Sequence, residues 1–126
     1  MRSWVLAALL FAVGCDRGYV NAEVVVDRAY DAYQAVADSM SASADCSAGV
    51  AGALREIERR RGDLDRAFAW QADPDRLAGL RGALEARKDR FLAISASLDS
   101  AFGRCEGTPG LDRVSSALDG PADGLR

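Results

Sequence analysis

Apolar residues recur at Leu77, Leu80, Leu84, Phe91, Ile94, Leu98 and Ala101, spaced by three and four, and Arg87 alone breaks the series. Such spacing puts one side chain per turn on a single stripe of an α-helix. Sustained this far it is a heptad seam, which requires a partner helix close alongside. A second stripe runs through Cys46, Val50, Ala53, Leu54, Ile57, Leu64 and Phe68, with Arg61 as its interruption. Asp73 and Pro74 lie between the two. Proline excludes the α-conformation at Asp73, yet it suits the first position of a new helix, whose free amides the Asp side chain can accept from. The second helix is therefore expected to return along the first as an antiparallel hairpin.

Each seam ends on a cysteine. Cys46 lies one turn before Val50, and Cys105 one turn after Ala101. Setting the two opposite each other pairs Ile57 with Ile94, Ala53 with Leu98 and Leu64 with Arg87, mostly apolar against apolar. The turn centre alone gives a register that agrees to within one helical turn. A Cys46–Cys105 disulfide is the expectation, with two buried free thiols as the alternative. By the chain-entropy model a bridge closing so long a loop stabilises by about 4 kcal/mol, a large share of a small domain's total.

Upstream, Val26, Ala29, Tyr30, Tyr33, Val36, Ala37 and Met40 mark one face of a first helix, with Asn21 as its N-cap. Residues 39–48 are small and serine-rich, frayed helix or connector. Gly103 reads as a helix stop, and residues 106–110 as a breaker-rich linker. Thr108 and Pro109 are placed to cap a short helix carrying Leu111, Val114, Ala117 and Leu118, which ends at Gly120 and Pro121. No strand pattern or solenoid repeat is present. The fold class is all-α: a small antiparallel bundle of three long helices plus a short C-terminal one, tied by a disulfide. The bundle spans 21–119, and 120–126 form a tail.

The N-terminus has a different character. Met1, Arg2 and Ser3 precede the apolar run Trp4–Val13, then Gly14 and Cys15, then the polar Asp16 and Arg17. A positive start, a short apolar core and small residues at its end describe an export signal over 1–14, too short for a permanent span. A buried apolar N-terminal segment is the structural alternative. Ala12, Val13, Gly14 and Cys15 resemble the lipobox of bacterial lipoproteins, although its usual leucine is here Ala12. The resemblance covers this segment alone. It implies that Cys15 becomes the lipidated first residue, with 15–20 as a tether, and Asp16 resembles a residue that retains such proteins in the inner membrane of some lineages. Plain secretion is the alternative. Lipidation of Cys15 leaves an even pair, Cys46 and Cys105, in a compartment where disulfides persist.

The chain has no histidine, which excludes histidine-based acid–base catalysis and histidine-ligated zinc or haem. Its 16 Lys and Arg against 19 Asp and Glu give a net charge of −3, without general attraction to nucleic acid. Arg55 and Arg59–Arg61 form a dense basic patch, but Glu56, Glu58, Asp63 and Asp65 interleave with it, as on a solvated face. The acidic pairs Asp63/Asp65 and Asp73/Asp75 lack the oxygen count of a calcium site. Tyr19, Tyr30 and Tyr33 suit either core packing or an interaction surface. The small residues from Ala48 to Ala53 suit tight packing within the chain or a homodimer contact. Arg61 and Arg87 are the candidate site residues. They either snorkel, face Asp31, Asp38 or Glu58 as a polar layer, or hold a small anion between helices. No spacing assembles a nucleophile, base and orienting group, so no catalytic residue, metal or cofactor is assigned. The expectation is a non-enzymatic envelope protein, held to a membrane by its N-terminal lipid and facing a protein partner. A carrier of a small anionic ligand in an interhelical pocket is the alternative.

Overall fold

Residues 21–120 are described by a computed structural model. The expected leader, Cys15 with its tether, and all but the first residue of the expected tail lie outside the described residues. Among those described, the chain forms only helices: α1 (Ala22–Ser41), α2 (Cys46–Arg59), α3 (Arg61–Ala72), α4 (Pro74–Ala86), α5 (Lys88–Arg104) and α6 (Leu111–Asp119). None of them is long and apolar enough to cross a membrane.

The starts of α1 and α4 follow the sequence reading. Asn21 accepts from the Val24 amide at 3.0 Å, and Asp73 accepts from the Asp75 amide at 2.9 Å with Pro74 in the first turn. The start of α2 is capped by Asp45, which accepts from the Ser47 amide, while Ser43 accepts from the Asp45 amide. The serine-rich segment is thus a short connector over 42–45. Two boundaries differ from expectation. Gly103 does not end its helix, which runs on to Arg104. Thr108 does not cap α6; Gly110 takes that position with φ of 93°, and a Cβ there would stand 3.1 Å from Val50 Cγ1. Left-handed backbone and close approach both select glycine.

The two expected long arms each bend once. Residues 46–72 are α2 and α3 joined at Arg60 (φ −107°, ψ 16°), and residues 74–104 are α4 and α5 joined at Arg87 (φ −113°, ψ 22°). The hydrogen-bond ladder reaches each joint residue. The Arg60 amide still donates to the Glu56 carbonyl, and the Phe91 amide to that of Arg87. The bends fall where the apolar stripes lapse, beside Arg61 and at Arg87, where no buried side chain holds the arm to a straight path.

The hairpin closes on α1, which packs against α2, α3, α4 and α5. Its buried side chains serve two clusters. Ala32, Val36 and Met40 join Val50, Ala53, Ile57, Leu64, Phe68, Ala101, Cys105 and Val114, whereas Val25, Val26 and Tyr30 join Leu80, Ala83 and Ile94. Ile57 and Ile94, facing each other in the sequence register, therefore belong to different clusters. Cys46 and Cys105 form the expected disulfide, with Cα atoms 5.4 Å apart across a separation of 59 residues. The short α6 packs back on α2, burying Val114 completely.

The small-residue start of α2 serves packing within the chain. A Cβ at Gly49 would stand 3.0 Å from the Met40 carbonyl oxygen, whereas one at Gly82, inside α4, meets nothing within 4 Å. Gly49→Ala is expected to lower stability by about 1 kcal/mol or more, since backbone must shift to admit the methyl. Gly82→Ala is expected to raise it by about 0.5–1 kcal/mol through helix propensity. Urea unfolding of the two variants measures both.

Candidate functional site

Between α1, α3, α4 and the start of α5 lies an open cleft of about 620 Å³, within the ~300–1,000 Å³ range of ligand clefts. Its floor is the tyrosine face of α1, with Val26, Ala29, Tyr30 and Tyr33; Ala67 and Phe68 form one wall, and Leu80 and Leu84 the other. Small side chains explain the open space. Ala29 and Ala67 stand where a leucine on either helix would fill it. The polar lining groups are Gln71, Arg81, Glu85 and Lys88. Phe91 belongs to the α5 seam yet stays 44% exposed, and its neighbour Leu92 is 54% exposed.

The cleft lies next to the C-terminal end of α6. The C-terminal end of α6 touches two of its lining residues: the Tyr33 hydroxyl donates to the Leu118 carbonyl at 3.2 Å, and Gly120 lies against the Phe68 ring. A smaller hollow of about 250 Å³ between α5 and α6 shares Tyr33 and Phe91 with the cleft. The two hollows thus meet at Tyr33 and Phe91, beside the C-terminal end of α6.

Tyr30 is 3% exposed, with its ring 5.9 Å from that of Phe91 and the Arg90 guanidinium 5.7 Å from its centroid. Burial pushes its hydroxyl pKa up, with Arg87 and Arg90 opposing. Tyr33 is pushed up to about 12, chiefly by burial. Beside the cleft, Arg87 donates to the Asp27 carboxylate through Nε and Nη2 (2.5 and 3.2 Å), and Arg90 binds Asp31 at 2.6 Å. This ladder pins α5 to α1. The bond from Arg87 holds the Asp27 carboxyl below its ordinary 3.8.

The two candidate arginines have separate partners. Arg87 crosses to α1, whereas Arg61 is half-exposed and pairs with Glu58 of its own arm at 3.3 Å. Asp31 pairs with Arg90, and Asp38 accepts from Gln34. Neither Arg61 nor Arg87 lines the cleft, so the hollow is not the arginine-centred pocket expected from the seams. The basic patch is internally paired, Arg59 and Arg60 both to Glu56. Cys15 is outside the described residues; Cys46 and Cys105 sit at the far end from the cleft. Sequence reasoning missed Arg81 and Lys88. Their spacing of seven beside the seam shows a charged flank, but periodicity does not show that the space next to it stays empty.

Comparison with protein-family models, curated proteins and solved structures finds no match to the chain. Two titrations probe this region. Tyr33, neutral in the fold with a raised pKa, contributes stability that is complete below its ordinary 10.0 and lost as pH climbs toward about 12. Absorbance titration is expected to show the last phenol ionising together with loss of helix, and Tyr33→Phe removes that last step. Asp27 has the opposite sign, stabilising fully above 3.8 and losing its contribution as pH falls through its lowered value. Its carboxylate is 47% exposed, so a double-mutant cycle of Asp27→Asn with Arg87→Gln is expected to give a coupling below about 1 kcal/mol at neutral pH.

Proposed function

We propose that this chain is an exported, membrane-tethered helical module of the cell envelope that receives an apolar helical segment of a protein partner in the cleft over Tyr30 and Tyr33. In this reading three antiparallel arms and a short closing helix form the working unit, and its role is non-enzymatic. The observation that carries it is the open, largely apolar cleft of about 620 Å³ over the tyrosine face of α1, edged by charged groups. The chain's own short helix α6 ends against two of the cleft's lining residues, Tyr33 and Phe68, so a helix end already rests at the edge of this surface. Helix-in-groove recognition uses an apolar floor with charged edges, which Leu80, Leu84 and Phe91 with Arg81, Glu85 and Lys88 supply. Location rests on the Arg2, Trp4–Val13 and Gly14–Cys15 pattern, with Cys15 as the lipidated residue.

A second reading is favoured by one observation. Arg81 and Lys88 outnumber Glu85 at the cleft, an arrangement that suits the anionic head of a small amphiphile whose tail lies over the tyrosines. In that case the protein is a carrier.

A photo-reactive phenylalanine analogue at Leu84, in the protein expressed in its own host, separates these readings. The expected outcome is one protein adduct of discrete mass. It is absent when the probe replaces the outward-facing Arg59 and lost when Ala67→Trp fills the cleft. Equal adducts at both positions, or a cross-link only within the chain, overturn the partner reading; a bound small mass in native mass spectrometry selects the carrier. Cys15→Ala is expected to move the protein from the membrane to the soluble envelope fraction, and retention at the membrane argues against the tether.

A further inference from the structure

The two sulfurs of the disulfide sit in opposite electrostatic settings. Cys46 is the first residue of α2, where unpaired backbone amides favour a negative charge. The residue is only partly buried, and its Sγ lies 3.8 Å from Nη1 of Arg104. That guanidinium is held in place, because its Nη2 donates to the Met40 carbonyl at 2.6 Å. On the same side, the Asp45 carboxylate opposes a thiolate, but it is engaged by the Ser47 amide. Cys105 has the reverse surroundings. It is 1% exposed, caps the C-terminal end of α5, packs among Val50, Ala53 and Val114, and is followed by Glu106. Burial, the negative end of the helix and the neighbouring carboxylate all disfavour charge on its sulfur.

We propose that Cys46 is a reactive-thiol site for disulfide-bearing oxidants, protein or small molecule, with Cys105 as its resolving partner. In the reduced chain the Cys46 thiolate attacks one sulfur of an external disulfide, R–S–S–R′. A Cys46–S–S–R bond forms and R′S⁻ leaves. Cys105 then gives up its proton to solvent, and its thiolate attacks Cys46 Sγ, closing the Cys46–Cys105 bond and expelling RS⁻. Two electrons pass from the chain's thiols to the external disulfide, which leaves as two thiols. The reverse reaction is hindered by the same asymmetry. An external thiolate can reach only Cys46 Sγ, and attack there must expel Cys105 as a buried thiolate, a poor leaving group. Capture of the external disulfide at Cys46 is therefore the fast step, and the exchange through Cys105, whose thiolate the same surroundings disfavour, is the slow step in both directions.

The test uses the full chain with Cys15→Ser. Alkylation of Cys46 by iodoacetamide in the Cys105→Ala background is followed against pH by mass spectrometry, and alkylation of Cys105 in Cys46→Ala likewise. Cys46 is expected to react with a midpoint below the ~8.5 of a free thiol, and at neutral pH about tenfold or more faster than Cys105. Arg104→Gln is expected to raise the Cys46 midpoint and Arg104→Lys to restore it, a pattern that a merely structural arginine does not give. Equal rates at the two cysteines, or an unmoved midpoint in Arg104→Gln, overturn the proposal. If the single-cysteine variants do not fold, the chain with both cysteines is reduced and exposed briefly to oxidised glutathione. Acid quenching then traps the mixed disulfide: glutathione on Cys46 supports the proposal, and glutathione chiefly on Cys105 or equally on both overturns it.

Discussion

Everything in this fold closes on α1. A helix at the edge of a bundle needs one apolar stripe, but α1 buries side chains from Val25 to Met40 over two faces and serves two clusters, with Tyr33 and Leu98 packed against both. The arms of the hairpin reach each other covalently at the disulfide and along the chain at the Asp73–Pro74 turn. Between those points their seams meet α1. This explains why a hairpin register derived from the cysteines and the turn was correct at both ends and still did not put Ile57 against Ile94. Two helices flanking a third can share a register without sharing a contact.

Much of this was legible because the relevant physics is local. Asn21, Asp73 and Pro74 act within one turn of chain, and periods of three and four identify buried faces wherever a helix forms. The disulfide was legible because each cysteine fell in phase with its own seam. Other features were not. Gly103 looked like a stop, yet glycine ends a helix only where the chain needs a left-handed residue, and here that need arises at Gly110, where Val50 crowds the backbone. Arg61 and Arg87 looked alike as interruptions of the seams. Arg60 and Arg87 instead became the two joints, and only Arg87 found a partner across the bundle, because Asp27 stands opposite it on α1 while Arg61 faces solvent.

The cleft was hidden for a related reason. Its lining residues Leu80, Leu84 and Phe91 are regular members of a seam, and a seam position implies burial. Whether it achieves burial depends on the volume supplied by the opposing helices, and Ala29 and Ala67 supply little. The tyrosines were ambiguous in the sequence between core and surface, and the structure divides the roles between them. Tyr30 is buried beneath the cleft, whereas Tyr33 spends its hydroxyl on tying α6 to α1.

The two ends of the molecule are built differently. Toward the disulfide, eleven buried residues, the covalent bridge and α6 act together; toward the turn, six buried residues and an unfilled cleft share the load. Cross-linking the ends of the arms removes conformational freedom chiefly from the unfolded chain, so it stabilises the fold without occupying space near the cleft. Apolar surface can then stay open at the turn end, because the cost of leaving it unburied is offset elsewhere in the same cooperative unit. In a domain of this size, an open apolar cleft and a covalent tie at the opposite end are two parts of one solution. The Asp27–Arg87 and Asp31–Arg90 pairs complete it by holding α5 to α1 beside the cleft without filling it.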